Sequence, residues 1–220
     1  ADLSQRFYDG PIDHGFEYSL TLPSGIQSEP YAFFKNDRLA RWDNKQKSWQ
    51  HFTDDGTARG FFKVTAKKSK KIAYGMDNWS TESVGPLLMH DAFAFIDRHV
   101  ATRGKEKPFF LYYCSQAGHS PYAPPVSFNV KDPLCTNDFS VREAIPIAGT
   151  TVNKRTDMIR EGDAALGLFI EKLTSLGLFH NTLIVFTSDN GAAVGPGSSW
   201  DQSLYHDAKD NSEYGGNRIE

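Results

Sequence analysis

Thr182-Leu183-Ile184-Val185-Phe186-Thr187-Ser188-Asp189-Asn190-Gly191 is an apolar, β-branched run that ends in a carboxylate, an amide and a glycine. Its length, with Asn181 before it and Asn190-Gly191 after it, predicts a strand covered on both faces, as in a parallel sheet flanked by helices. Open α/β sheets carry their chemistry at the carboxyl ends of such strands, in the crevice where the loops begin. Asp189 and Asn190 would then present two oxygen ligands there. Asp-Asn-Gly is also good Asx-turn chemistry for leaving any strand, and both readings stand at this point.

A second strand is expected at Pro108-Phe109-Phe110-Leu111-Tyr112-Tyr113-Cys114, with proline at an end where a strand tolerates it. It runs into Ser115-Gln116-Ala117-Gly118-His119-Ser120-Pro121, a loop that presents a histidine. Between the two strands, a helix is predicted from Asn153 as N-cap to Leu176, with Gly177 as the stop. Its core stripe reads as Ile159, Leu166, Phe169, Ile170, Leu173 and Leu176. Asp163 lies within that stripe and needs a hydrogen-bonding partner there. Strand, helix and strand form one crossover, which should be right-handed and make the strands parallel. His119 and Asp189-Asn190 would then emerge at the same sheet edge, an arrangement suited to metal-assisted hydrolysis. Carboxylate and amide oxygens favour Ca²⁺ or Mg²⁺ over zinc.

The 220 residues, 39% hydrophobic and 13% aromatic, suffice for one sizeable core and one α/β domain. A formal charge of -3 and a pI near 6.2 supply no broad field for nucleic acid or an anionic membrane. The basic run Lys67-Lys68-Ser69-Lys70-Lys71 reads as a solvated loop. No apolar stretch approaches the roughly 20 residues of a membrane span, and Ala1-Asp2-Leu3-Ser4-Gln5 does not have the pattern of a signal peptide. Cys114 and Cys135 lack zinc spacing and read as free thiols. Asn78-Trp79-Ser80 matches the glycosylation sequon.

Elsewhere, residues 1–30 read as loop. Tyr31-Ala32-Phe33-Phe34-Lys35 and Arg38-Leu39-Ala40-Arg41-Trp42 predict a hairpin around Asn36-Asp37. Residues 43–80 read as surface excursions apart from Gly60-Phe61-Phe62-Lys63-Val64. A helix is expected from Glu82 or Pro86 to Thr102, with Leu88, Ala92, Phe95, Ile96 and Val100 on its buried face. The proline-rich stretch 120–152 should wrap the surface. In the tail, Lys209 and Arg218 flank Gly215-Gly216, a basic pair able to hold an anion.

Four pieces of the chain, in order, resemble the sulfatases of the alkaline phosphatase superfamily. They are Gly10-Pro11-Ile12-Asp13-His14-Gly15-Phe16 with Pro30 to Asp37, Lys107 to Tyr112 with Gln116 to Pro121, Asn181 to Gly191, and Lys209 with Gly215-Gly216-Asn217-Arg218. The resemblance implies an alkaline-phosphatase-like α/β fold with a mostly parallel sheet flanked by helices, residues 1–220 forming part of one catalytic domain. It implies that Asp189 and Asn190 ligate calcium, that His119 acts on the leaving-group side, and that Lys209 contacts the sulfate. Sulfate ester cleavage needs cationic stabilisation of the equatorial oxygens and proton donation to the departing oxygen. Trp200, Tyr205 and His206 are candidates for lining the pocket.

The family's nucleophile, a formylglycine made from cysteine in a Cys-x-Pro-x-Arg context, matches neither Cys114 nor Cys135 and is expected before Ala1. The chain therefore reads as an internal fragment, inert alone, a poor calcium binder, and prone to self-association through an unpaired sheet edge. The whole protein is expected to act on a small-molecule or carbohydrate sulfate ester in an exported compartment, be it periplasmic, extracellular or lysosomal. The alternatives are a phosphonate or phosphate ester hydrolase of the same superfamily, a non-catalytic binding module on the same fold, and a purely structural α/β domain.

Overall fold

The computed structural model describes residues 6–51, 61–65, 72–76, 78–128 and 144–190. The chain divides into two compact units, Ala1–Leu178 and Phe179–Glu220. In the first, the predicted hairpin forms. β1 (Leu20–Thr21), β2 (Phe33–Lys35), β3 (Arg38–Asp43) and β4 (Ser48–His51) make an antiparallel meander. Lys35 pairs with Arg38 and Phe33 with Ala40. Asn36 takes the left-handed conformation, φ 57°, that the tight turn requires and that asparagine tolerates.

Strand alternation sends this sheet into two cores. Phe33 and Trp42 face one way, packing with Ile26, Val84, Leu87 and Met158. Phe34 and Leu39 face the other, with Ala32 and Met76. Met76 ends β6 (Ile72–Met76), which pairs antiparallel with β5 (Phe61–Thr65). Expecting only excursions in 43–80 missed β4 and β6. The Trp42–Trp49 pair across β3 and β4, ring centroids 5.5 Å apart, shows what holds a polar-looking strand.

Both helices form where their end signals put them. Helix α1 (Val84–Arg103) carries Pro86 in its first turn and stops at Gly104, φ 81°. Helix α2 (Lys154–Ser175) is capped by Asn153, whose side chain accepts from the backbone N–H groups of Arg155 and Thr156. The buried faces differ from expectation. On α1 the buried set includes Met89, Phe93 and His99 besides Ala92 and Ile96. On α2 it is Asp157, Met158, Glu161, Ala165 and Leu173, while Ile159 is 47% exposed and Asp163 is exposed. The stripe is rotated because α2 packs against α1 and β7 (Ser127–Phe128), through Met89, Phe93, Phe128, Ile147 and Ala165. β7 pairs with β8 (Ile145–Pro146) inside the proline-rich stretch expected to wrap the surface, and both residues of β7 are buried. Lys35 from β2 and Tyr18 both reach buried Asp91 of α1, at 3.3 and 2.6 Å, tying helix to sheet.

The expected parallel sheet is not what the described residues form. Every ladder between their strands is antiparallel, and neither Pro108–Cys114 nor Thr182–Ser188 joins one. The first segment is nonetheless extended, with a period of two. Phe109 stacks edge-on against Phe95 and His99, and Tyr113 against Phe169, while Phe110 and Tyr112 are 75% and 72% exposed. One face is covered by the helices and the other is open. In the second unit, Leu183, Val185 and Phe186 are 88%, 77% and 71% exposed, so the run predicted to be buried is bare. A strand makes no hydrogen bonds within itself. Without a ladder partner among the described residues, its apolar side chains have no layer to enter.

Candidate functional site

The histidine loop grows out of the extended segment. Ser115 Oγ accepts from the Ala117 N–H at 3.1 Å, and the Gln116 carbonyl accepts from the His119 N–H at 3.1 Å. Gly118, φ 79°, sits at the position where the turn needs the left-handed region. The His119 ring is half-buried and its Nδ1 lies 2.5 Å from the Ser120 carbonyl oxygen. A carbonyl can only accept, so Nδ1 carries a proton and donates it. That leaves Nε2 as the nitrogen free to give or take a proton outward.

Beneath this loop lies a cluster that the amino-acid pattern did not single out. Glu161 of α2 is 1% exposed and Gln116 is 8% exposed. Among the described residues, Glu161 Oε2 and both polar atoms of the Gln116 amide have no hydrogen-bond partner. The Glu161 carboxyl crowds Gly85, where any Cβ would fall onto Oε1, and the Gln116 amide nitrogen lies 3.5 Å from that same Cβ position. Burial pushes the Glu161 carboxyl up to about 8; the nearby Gln116 amide pulls the other way without reaching hydrogen-bonding alignment. Gly162, the next residue, would bring a Cβ to 3.0 Å from the Ala117 Cβ. The signal available in the sequence was Glu161-Gly162, a carboxylate beside a missing side chain.

Asp189 and Asn190 belong to the second unit, so they and His119 lie in units described separately. The chain bends at Asp189-Asn190, and Ser188 Oγ donates to the Asn190 carbonyl at 2.6 Å. Asp189 is exposed and Asn190 half-buried. Their oxygens are of the hard kind calcium takes, but two donors are too few for an ion that wants 6 to 8. Among the described residues no group of three or more His, Cys, Asp or Glu could hold a metal, so these residues alone do not compose a calcium site. Lys209, Arg218, Trp200, Tyr205, His206, Cys135 and the basic run at 67–71 lie outside the described residues. Cys114 is a free, exposed thiol. The sequon asparagine, Asn78, donates its amide to the Trp42 carbonyl at 2.9 Å. Within the first unit a cleft of about 760 Å³ with a mixed lining is bordered by Asn44, Asn78, Glu82, Val126, Asn153 and Lys154, and by Ala123 just beyond the histidine loop. No helix among the described residues is long and apolar enough to cross a membrane.

Residues 31–218 match the sulfatase family model. The chain belongs to the sulfatase family. This sulfatase sequence is similar to the N-acetylgalactosamine-6-O-sulfatase of Bacteroides thetaiotaomicron, 25% identical over 83% of this chain and 35% of that protein. It is similar to the N-acetylgalactosamine-6-sulfatase of Mus musculus, 30% identical over 87% of this chain and 29% of that one. Human arylsulfatase A is 32% identical over 52% of this chain. A solved structure from Bacteroides thetaiotaomicron, described with the metabolism of multiple glycosaminoglycans, superposes with a TM-score of 0.60 at 21% identity, covering 88% of this chain and 40% of that one. That likeness supports the α/β sulfatase fold as a class. The chain spans about a third of the length of the first two relatives.

Proposed function

We propose that this chain is part of a sulfatase catalytic domain whose whole protein hydrolyses sulfate esters of carbohydrates, with a 6-sulfated N-acetylhexosamine as the favoured class. The family match across 31–218 carries the reading, since it takes in His119, Asp189-Asn190 and Lys209 together. The relatives named for N-acetylgalactosamine 6-sulfate point to the substrate class. An exported compartment, be it periplasmic, extracellular or lysosomal, belongs to the same reading and rests on the family resemblance alone.

In this reading His119 faces the departing alkoxide. With Nδ1 committed to the Ser120 carbonyl, the proton that reaches the leaving oxygen comes from Nε2, and the hydrogen bond fixes the ring plane from which it is given. Lys209 supplies a positive charge to a sulfate oxygen, where a preorganised cation lowers the barrier as negative charge shifts. Asp189 and Asn190 would contribute two oxygen ligands to calcium, and the remaining ligands would come from residues other than those described. Bound calcium would polarise the sulfate oxygens. The nucleophile is the formylglycine typical of the family and is neither of the two cysteines in this chain. The expected mostly parallel sheet, with Thr182–Ser188 as one of its strands, belongs to this proposal as well.

The test uses the full-length protein with three substrates: N-acetylgalactosamine 6-sulfate, a chromogenic aryl sulfate and the matching aryl phosphate. Sulfate release that falls on the order of 10²- to 10⁴-fold in His119→Ala is expected, as for loss of a general acid. Equal or faster cleavage of the phosphate, or an undiminished His119→Ala, would overturn the assignment.

A further inference from the structure

We propose that Glu161 is a positioning residue for the His119 loop, holding the Gln116 side chain from below and, through it, the Ser115–His119 turn. This deepens the sulfatase reading and rests on it for the role of His119. Three observations carry it independently. First, Glu161 and Gln116 are the buried polar pair of the region, 1% and 8% exposed, and each has unpaired polar atoms turned into a pocket closed to water. Buried polar groups left unpaired cost free energy, and their retention signals a role other than packing.

Second, the pocket is shaped for that carboxyl. Gly85 at the start of α1 leaves the volume that Glu161 occupies, and Gly162 lets α2 approach Ala117 until a Cβ would stand 3.0 Å away. Glu161 and Gly162 are adjacent on α2, and together they meet two successive residues of the loop, Gln116 and Ala117. Ile159, two positions before Glu161, reaches to within 3.7 Å of where a Gly118 side chain would begin. One stretch of α2 thus underlies three consecutive residues of the turn.

Third, the link to the histidine is direct along the backbone. The Gln116 carbonyl accepts the His119 N–H, so any rotation of Gln116 is passed to His119 through that hydrogen bond. A neutral carboxylic acid at Glu161 can donate its O–H to the Gln116 amide oxygen while accepting from the amide nitrogen. Both groups border one point, the Cβ position at Gly85. Glutamine at 161 has the same shape and the same donor and acceptor, whereas methionine has the shape alone.

That difference defines the experiment, done in the full-length protein with Glu161→Gln, Glu161→Met and Gln116→Ala. Glu161→Met keeps the core filled, so loss of folding does not obscure the result, and thermal unfolding of each variant checks it. Glu161→Gln is expected to keep kcat and KM for sulfate release near wild type. Glu161→Met and Gln116→Ala should each lower kcat by up to about 10²-fold, the cost of a misplacement near 1 Å, with KM little changed. Combining them should add nothing further, since both break one link. Hydrogen exchange at the His119 amide gives a readout free of catalysis. It should quicken on the order of tenfold in Glu161→Met and stay at the wild-type rate in Glu161→Gln. Full kcat together with unchanged exchange in Glu161→Met would overturn the proposal. A quickened His119 amide in a protein that cleaves no sulfate ester would leave the positioning role standing and refute the sulfatase reading instead.

Discussion

Met158 and Ile159 are neighbours on α2, and they settle which face of that helix holds the first unit together. The helical spacing favours Ile159, seven and ten positions before Leu166 and Phe169; the structure buries Met158 at 0% exposed and leaves Ile159 at 47%. Met158 packs with Val84 and Leu87 of α1, Phe33 and Trp42 of the meander, and Ile26. Three elements meet around it, so the site cannot collapse by a small shift of one of them. Met158→Ala should therefore cost about 3–4 kcal/mol, within the range for large-to-alanine changes in a rigid core. Ile159→Ala removes three carbons that are about half covered and opens no enclosed cavity, which gives about 1 kcal/mol. For a unit of this size each kcal/mol moves the midpoint by about 2–4 °C. Thermal unfolding followed by near-ultraviolet circular dichroism should then show Met158→Ala lowered by about 10 °C and Ile159→Ala by about 3 °C. Equal shifts, or a larger one for Ile159→Ala, would refute the packing described for α2.

Asp157 accepts from the Gly149 and Thr151 N–H groups at 2.8 and 2.9 Å and from Thr151 Oγ1 at 2.7 Å, and although burial opposes its charge, these bonds hold the carboxyl below its ordinary value. Its folded value is the lower one, so its contribution is present above the ordinary value of 3.8 and is lost as pH falls through the depressed one; hydrogen exchange at Gly149 and Thr151 should quicken in Asp157→Asn at neutral pH, and an unchanged rate would count against the anchoring role. Glu161 has the opposite sign: its carboxyl rises from 4.5 to about 8, so its contribution is whole below 4.5 and fades as pH climbs toward 8. Tyr113 is the titratable group coupled to it, its phenol pushed up by burial and then by Glu161, and it stays neutral throughout that window. Urea midpoints should decline across the window in wild type and stay flatter in Glu161→Gln, with parallel profiles as the contrary result. The 220-residue chain made alone should self-associate at concentrations on the order of micromolar through its bare extended segments; Phe110→Lys with Val185→Lys should return it toward monomer in sedimentation, and a wild-type chain that is already monomeric would dispose of the idea.

The helices were legible because their determinants are local. Asn153 caps α2 through its own side chain, Gly177 at φ 71° follows its end, and Pro86 opens α1, all within one turn of the boundary they set. The hairpin at Asn36-Asp37 was legible for the same reason. What could not be read was which way each helix faces. That depends on partners far along the chain, such as Phe128 and Ile147 against Ala165. β4 and β8 were missed likewise, because Ser48–His51 and Ile145–Pro146 have little apolar pattern of their own and exist through the strands they pair with.

The same division between local and distant causes runs through the site. His119 was found because glycine and proline mark the loop that carries it, and Asp189-Asn190 because they end an apolar run. Glu161 was hidden because nothing in its neighbours along the chain marks it as buried; what marks it is Gly85, 76 positions earlier, which leaves room for its carboxyl. A strand has the weakest local signature of all, since its hydrogen bonds go entirely to other segments. Phe109–Cys114 keeps the two-residue alternation against the helices while its outer face stays bare, and Leu183–Phe186 is bare along most of its length. The apolar pattern of each run thus encodes a layer, and the layer's other members decide whether it is buried. The chemistry at the ends of these runs inherits that dependence: His119 is held by contacts within its own unit, whereas Asp189 and Asn190 sit at a bend where the Ser188 hydroxyl donates to the Asn190 carbonyl, and their use as ligands requires donors that the described residues do not supply.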